Sequence, residues 1–99
     1  MSRMQTKKSY HEVIRKESFA NNDLYDTFLN WISGEFDLYL QDEENDLQVF
    51  FPFGKFYIRR INNSKENIKV EINVKSRSLS LCNYIIDKIV TVQNHIKDR

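Results

Sequence analysis

The clearest pattern in the chain is a strict alternation of apolar and polar residues over positions 68–75. Side chains of a β-strand point alternately to opposite faces of the sheet, so this period of two predicts a strand with one buried face and one face in water. The apolar members of the alternation are Ile68, Val70, Ile72 and Val74.

Two more strands are predicted directly before this one, with short turns between them. Apolar residues alternate over residues 47–53, and residues 56–61 form the next strand. We expect Gly54 to supply the positive φ that a tight hairpin turn needs. Pro52 has no backbone N–H to donate, which predicts that strand 47–53 is an edge strand or is bulged near its end. The short polar side chains of residues 62–65 favour the second turn.

Two segments have the apolar spacing of a helix that buries one face. In the first, the stripe covers residues 24–32, behind the capping residues 21–23, and Gly34 lies where the helix is predicted to end. The second begins after the serines of residues 76–80, and its apolar residues recur at i, i+4, i+7 and i+11. These residues are Ile85, Ile89, Val92 and Ile96, and the stripe is widened by Leu81, Cys82 and Ile86.

The remaining segments complete a single α+β domain over residues 10–99. Residues 10–19 and 36–40 are predicted to be strands, and residues 1–9 a flexible N-terminal tail. The predicted order is β-α-β-β-β-β-α. Each helix has one apolar stripe, so we expect a two-layer sandwich in which both helices cover one face of an antiparallel sheet of four to five strands.

The other face of this sheet is the candidate interaction surface. If the alternating apolar residues beside Phe50 point to the helices, Phe50 points away from them, and the same alternation places Tyr39 on the open face. Strand 56–61 can be placed in two ways, one of which also exposes Tyr57 and Arg59. These four residues would then form an exposed patch of the kind that marks a binding site.

The formal net charge is only +1, but the charges are segregated along the chain. Residues 23–46 contain eight acidic residues and no Lys or Arg, whereas residues 55–77 contain seven basic residues and two acidic ones. One interpretation is that the two segments neutralise each other through cross-strand pairs. The alternative is a basic face and an acidic end, including Glu43 and Glu44, that contact different partners.

No assembled set of catalytic or metal-binding residues is recognisable. His11, His95 and Cys82 lie on different predicted elements and lack the close spacing of metal ligands. Gly34 and Gly54 are the only glycines, which excludes a glycine-rich phosphate loop. We therefore predict no enzyme activity, no metal site and no cofactor.

The number of cysteines and the length of the apolar runs indicate where in the cell the protein is located. The single cysteine cannot form an internal disulfide, and the chain shows neither the pattern of a secretion leader nor an apolar run of membrane-spanning length. We therefore expect a cytoplasmic protein without a membrane partner.

The hexapeptide FPFGKF at residues 51–56 precedes the last strand and a helix that ends in His95-Ile96. These features resemble the bacterial domain-of-unknown-function family 2218, in which a hairpin of phenylalanine and glycine precedes a last strand and a helix ending in His-Leu. The resemblance covers about residues 10–96 and implies the same strand-helix-strands-helix layout. Such domains are associated with siderophore-interacting reductases, which implies a link to iron uptake without a known activity.

Two departures from the family pattern concern histidine. Where the family's first helix usually carries histidines, residues 29–33 of this chain are Leu-Asn-Trp-Ile-Ser. After His95-Ile96, the family's usual Arg-Phe is replaced by Lys97-Asp98. A metal or haem role would rest on His95 alone, and we do not predict one.

Three functions remain open at this point. The leading hypothesis is a non-catalytic binding or accessory module that acts through the open sheet face and the hairpin. Its partner would be a protein or small ligand of iron or siderophore handling, with a siderophore-related reductase as one candidate. The second is a protein inhibitor or immunity-like partner that uses the acidic surface around Glu43 and Glu44.

The third hypothesis is a small enzyme or a single-stranded nucleic-acid binder. In such a binder, bases would stack on rings beside cations on the open face. The near-neutral net charge favours a structural role for these rings and cations, so nucleic acid is not the partner we expect. A homodimer through a strand edge or the aromatic face is compatible with each hypothesis.

Overall fold

The structure is a computed structural model that describes residues 10–43 and 46–97. Its elements in chain order are β1 (His11–Asn21), α1 (Asn22–Glu35), β2 (Leu40–Asp42), β3 (Leu47–Phe51), β4 (Gly54–Arg60), β5 (Glu66–Ser76) and α2 (Leu79–Lys97).

The described strands form one open antiparallel sheet in the order β1-β5-β4-β3-β2. β5 pairs with β4 on one side and with β1 on the other, which brings the first and last strands of the chain together. β1 and β2 are the two edges. The predicted α+β class and the predicted order β-α-β-β-β-β-α are confirmed.

Both helices pack on the same face of the sheet. Phe19 of β1 lies on that face, and its ring centroid is 4.8 Å from that of Phe28 in α1. Two residues earlier on β1, Glu17 Oε1 accepts a hydrogen bond of 2.8 Å from Gln93 Nε2 in α2. One continuous hydrophobic core therefore lies between the sheet and the helices, as expected for a two-layer sandwich. β5 contributes the fully buried residues Ile68, Val70, Ile72 and Val74.

The first helix has the predicted cap and the predicted stripe. Asn21 Oδ1 accepts a hydrogen bond of 2.9 Å from the backbone N–H of Leu24, which satisfies one of the free donors at the start of α1. The helix ends at Glu35, one residue after Gly34. The residues that α1 buries are Tyr25, Phe28 and Ile32.

The second helix is capped by Ser78, whose Oγ accepts a hydrogen bond of 3.2 Å from the backbone N–H of Leu81. Cys82 is fully buried, and this burial raises the pKa of its thiol, as expected for an inert core residue. The predicted stripe is confirmed. The residues that α2 buries are Cys82, Ile85, Ile86, Ile89, Val92, Gln93 and Ile96.

The predicted strand over residues 36–40 was wrong. The backbone turns over residues 36–39, and β2 contains only the three residues from Leu40 to Asp42. Phe36 is buried, with its ring centroid 5.0 Å from that of Phe56, and its backbone N–H donates to the carbonyl oxygen of Ile32 at 3.1 Å. Because Phe36 closes α1 and fills the core, strand pairing starts only at Leu40.

The β3–β4 hairpin corrects two further predictions. Gly54 does not have a positive φ; Phe53 does, at 70°. Glycine is needed at position 54 because a Cβ there would lie 2.8 Å from the ring of Phe51 and closer still to the carbonyl oxygen of Lys75. β3 lies between β2 and β4 and pairs regularly up to Phe51, so Pro52 lies in the turn and marks neither an edge strand nor a bulge.

Candidate functional site

The open face, which is the sheet face away from the helices, presents alternate residues of each strand. β4 buries Phe56 and Ile58 against the helices, so Tyr57 and Arg59 lie on the open face. Phe50 of β3 lies there too, since the residues on either side of it are buried. Three of the predicted surface residues therefore share one face.

A cleft of about 650 Å³ lies at one end of the open face, where the β3–β4 turn meets the start of β1 and the end of β5. We call it the hairpin cleft. Its volume is within the range of roughly 300–1,000 Å³ that is usual for small-molecule sites. The residues that line it are Tyr10, Phe50, Phe53, Gly54, Lys55, Lys75 and Arg77.

Three cations line the hairpin cleft. Lys55 and Lys75 are directly opposite each other across the β4–β5 ladder, an arrangement that destabilises a sheet when the charges are alike. Arg77 follows at the end of β5, and its backbone N–H donates to the carbonyl oxygen of Phe53 at 3.0 Å. Among the described residues, none of the three basic groups forms an ion pair within 4.0 Å.

One acidic residue, Glu12, lies beside the cleft in the register of the sheet. It is opposite Lys75 on β1, but its carboxylate accepts a hydrogen bond of 2.7 Å from Nδ2 of the buried residue Asn73. Glu12 can offset one of the three positive charges, so the cleft stays positive.

The rings of the hairpin cleft are unusually accessible for aromatic side chains. The exposed fraction is 67% for Phe53 and 56% for Tyr10. A positive φ is rare for a bulky residue and costs about 1–3 kcal/mol, so the surrounding structure has to impose it on Phe53. The close packing at Gly54 and the hydrogen bond from Arg77 hold the turn in that conformation. The turn therefore combines backbone strain with an exposed ring, a combination that is often found at binding sites.

Tyr57 and Arg59 lie beside the cleft, and both bind the carboxylate of Glu71. Tyr57 Oη donates to Glu71 Oε2 at 3.2 Å, and Arg59 Nη2 is 3.2 Å from Glu71 Oε1. Partial burial, and secondly the charge of Glu71, raise the pKa of Tyr57. The guanidinium carbon of Arg59 is also 5.7 Å from the centroid of the Tyr57 ring. This network neutralises the middle of the face and leaves the hairpin cleft as its more cationic part.

The prediction that Tyr39 lies on the open face was wrong. Its ring centroid is 6.4 Å from that of Phe36 and 6.5 Å from that of Phe51, both of which belong to the core on the helix side. Because the backbone turns over residues 36–39 and β2 starts only at Leu40, Leu40 takes the open-face position opposite Phe50. Leu40 is exposed, so the edge of the face remains apolar.

The acidic residues of the predicted acidic end lie on a different surface. Asp26, Asp42, Glu43 and Asp46 line a groove of about 430 Å³ between α1 and the β2 edge. Asp46 is part of the fold, since its carboxylate accepts hydrogen bonds from Tyr25 Oη at 2.7 Å and from the backbone N–H of Arg60 at 3.0 Å. Glu44 lies outside the described residues.

The positions of the charged residues favour one of the two interpretations of the charge segregation. Between strands of the described sheet, one ion pair within 4.0 Å is formed, by Arg59 and Glu71. Both of these residues belong to segment 55–77. The acidic groove lies beside α1, whereas most of the basic residues of segment 55–77 lie on the open face. The geometry therefore favours separate acidic and basic surfaces. The basic residues of the open face are Lys16, Lys55, Arg59, Lys69, Lys75 and Arg77.

Sequence reasoning identified Phe50 but missed the other residues of the hairpin cleft. The signal that could have found them is the pairing register. A turn at residues 52–53 brings Lys55 opposite Phe50, and the register of β4 with β5 brings Lys55 opposite Lys75. In the separate β1–β5 ladder, counting back from the pair of His11 and Ser76 would have placed Tyr10 beside Arg77.

Other kinds of site find no support in the described residues. No group of three or more His, Cys, Asp and Glu side chains among them is arranged to hold a metal ion. The ring of His95 packs on Trp31, with 5.1 Å between the centroids. None of the helices described has both the length and the apolar character needed to cross a membrane. The sequence matches no model of a known protein family and no curated protein.

Proposed function

We propose that this protein is a non-catalytic binding module whose hairpin cleft holds an anionic ligand with flat rings. The observation that supports the proposal most strongly is the direct opposition of Lys55 and Lys75 beside exposed aromatic rings. A bound anion would screen the repulsion between the two ammonium groups, and the rings of Phe53 and Tyr10 would stack on the flat part of the ligand.

The size and shape of the cleft favour a small ligand. A volume of about 650 Å³ can hold a nucleotide-sized molecule, and its three cations match a ligand with several negative charges. The resemblance to family 2218 makes a ferric siderophore of the catecholate type the first such ligand to test. A role in iron handling in the bacterial cytoplasm is part of this proposal.

Isothermal titration calorimetry of the purified protein tests the proposal. The probes are a ferric tris-catecholate siderophore, adenosine monophosphate and inorganic phosphate. We expect binding of at least one of the ring-bearing probes and much weaker binding of phosphate, because phosphate cannot stack. No heat with any probe would contradict the proposal.

A matched pair of variants locates the binding site in the same assay. Lys75→Gln removes a cation from the cleft, and Lys69→Gln removes one from the same face of the same strand but outside the cleft. We expect Lys75→Gln to weaken binding about tenfold, the usual scale for one charge-assisted contact, and Lys69→Gln to change it little. Equal effects of the two variants would place the ligand elsewhere.

Single-stranded nucleic acid is the second candidate, because Lys69 and Lys16 add cations to the open face beyond the cleft. A polymer that follows this path would bind more tightly with increasing length and would lose affinity steeply with salt. Oligothymidylates of about four and about twelve nucleotides distinguish the two candidates. Equal affinity for both lengths would favour the small-ligand site.

The inhibitor hypothesis depends on the acidic groove rather than the open face. Its residue Glu43 is exposed, so Glu43→Lys would change the groove charge without disturbing the core. If the groove binds a basic protein, this variant should abolish capture of that protein.

A further inference from the structure

Strand β1 has an unpaired outer edge that is unusually long. Along its inner side it pairs with β5 from His11 to Asn21, and no described strand pairs with its outer side. The opposite edge of the sheet, β2, contains only three residues. Long, regular edge strands invite pairing with another chain, and short edge strands are one way of avoiding it. β1 lacks that protection.

The open-face side of β1 carries an alternating pattern of charges around an apolar centre. Ile14 is 53% exposed and lies between Glu12 and Lys16 at i−2 and i+2. The register with β5 puts all three side chains on the open face. Glu12 lies opposite Lys75, Ile14 opposite Asn73, and Lys16 opposite Glu71.

The charged groups of Glu12 and Lys16 are not engaged in ion pairs among the described residues. Glu71, the cross-strand neighbour of Lys16, is already bound to Arg59 and Tyr57. Among the described residues Lys16 forms no ion pair within 4.0 Å, and the same holds for Glu12. Lys16 is therefore available to a partner at this edge, and the Glu12 carboxylate, which accepts one hydrogen bond from Asn73, keeps lone pairs for another.

We propose that β1 pairs with β1 of a second copy of this chain, antiparallel and centred on Ile14. In this register Ile14 lies opposite Ile14 of the second copy, and Glu12 and Lys16 lie opposite Lys16 and Glu12. On the helix side, His11 lies opposite Glu17. A two-fold axis that passes between the two Ile14 residues, perpendicular to the sheet, makes every contact except the central one occur twice, as an isologous dimer requires.

Neighbouring registers fit less well. Centring the pair on Arg15, Lys16 or Glu17 would place that residue opposite its own copy, and like charges at opposed positions are unfavourable. Centring it on Val13 would place Glu12 opposite Ile14 and His11 opposite Arg15. Of the five registers centred on residues 13–17, the one centred on Ile14 is the only one that places pairs of opposite charges on both sides of an apolar contact.

The dimer would join the two sheets into one sheet of ten strands. Because the two-fold axis is perpendicular to the sheet, both open faces would lie on the same side, with a hairpin cleft on each copy. Tyr10, which lines one cleft, would lie opposite Ser18 of the second copy. The dimer proposal does not depend on what the clefts bind.

Charge-exchange variants test the register directly. Glu12→Lys places two lysines opposite each other at each end of the interface, and Lys16→Glu places two carboxylates there. Each single variant should weaken dimerisation about tenfold or more, because two cross-strand pairs change from attraction to repulsion. An equimolar mixture of the two variants restores opposite charges in the mixed dimer, and so does the double variant Glu12→Lys/Lys16→Glu.

The measurement is sedimentation equilibrium over a wide range of protein concentration. The unchanged chain should show a monomer–dimer equilibrium, the single variants should be largely monomeric, and the mixture and the double variant should regain the dimer. Lys69→Glu, a charge reversal on the same face away from this edge, should leave the dimer unchanged. Thermal unfolding verifies that each variant is folded, and Ile14→Asp provides an independent disruption if Glu12→Lys does not fold.

Three results would overturn the proposal. The first is a monomer at every concentration of the unchanged chain. The second is a dimer that the single variants and Ile14→Asp leave intact. The third is failure of the mixture to associate more strongly than either single variant alone.

Discussion

Lys55 and Lys75 face each other directly across the β4–β5 ladder, on the side of the sheet that the helices leave open. Opposed like charges cost a sheet roughly 0.2–1 kcal/mol, in a domain whose total stability is of the order of 5–10 kcal/mol. Exposed aromatic rings surround the same pair. We propose an anionic ligand as the function of this arrangement, and the opposition of the two lysines has consequences for stability as well as for binding.

Lys75→Gln should make the ligand-free protein more stable. Removing one of the opposed charges should raise the free energy of unfolding by up to about 1 kcal/mol at low salt. The gain should shrink as salt screens the repulsion in the unchanged protein. Urea denaturation at low and high sodium chloride measures both effects. Lys69→Gln, which faces Ser18 across the ladder, serves as the control and should show no comparable gain.

The two glycines should respond to alanine in opposite directions. At Gly54 a Cβ would collide with the carbonyl oxygen of Lys75 and the ring of Phe51, so Gly54→Ala should lower the free energy of unfolding by about 1–3 kcal/mol. At Gly34, within α1, a Cβ meets nothing within 4 Å, and Gly34→Ala should raise the free energy of unfolding by about 0.5–1 kcal/mol. Chemical denaturation compares the two variants. Similar effects at both positions would mean that the hairpin is not packed as described.

Phe53→Asn should separate stability from binding. Asparagine adopts a positive φ more readily than phenylalanine, and the ring of Phe53 is 67% exposed, so the free energy of unfolding should stay the same or rise by about 0.5–1 kcal/mol. Loss of the ring should still weaken binding of a ring-bearing ligand. A variant that is markedly destabilised would show that Phe53 packs as a core residue instead.

The pair of Tyr25 and Asp46 should give stability a pH dependence in the alkaline range. Burial, and secondly Asp46, raise the pKa of Tyr25 above its ordinary value of about 10. The folded protein therefore holds this proton more tightly than the unfolded chain does. The resulting stabilisation is complete below pH about 10 and is lost as the pH rises above that value.

Tyr25→Phe tests this linkage. It removes the donor of a 2.7 Å hydrogen bond to a carboxylate, so it should lower the free energy of unfolding by about 1.5–3 kcal/mol at neutral pH. It should also make stability fall less steeply above pH about 10. Thermal unfolding across this pH range measures both, with Tyr84→Phe as an exposed control. An unchanged alkaline slope would contradict the assignment to Tyr25.

The sequence predicted those features that depend on periodicity within one segment. The alternation from Ile68 to Val74 and the apolar stripes of both helices arise from burial of one side, and the strands and helices form where these patterns occur. Local patterns could not show that Phe36 closes α1 or that Phe53 adopts the positive φ, since both result from contacts with distant residues.

The hairpin cleft was harder to predict for the same reason. Lys75 was visible in the sequence as the polar end of an alternation, but its position opposite Lys55 depends on the register between two strands. Tyr39 was placed wrongly because the backbone turns over residues 36–39 and β2 begins only at Leu40. Leu40 therefore takes the face that the alternation assigned to Tyr39, since neighbouring residues of a strand point to opposite faces.

Backbone amide NMR during a titration with adenosine monophosphate, and then with a short oligothymidylate, tests the central claim most directly. The account predicts that chemical shifts change mainly at residues 50–55 and 75–77 and at Tyr10, and that Lys75→Gln reduces the changes. Shifts confined to the helices or to the acidic groove around Glu43 would contradict it.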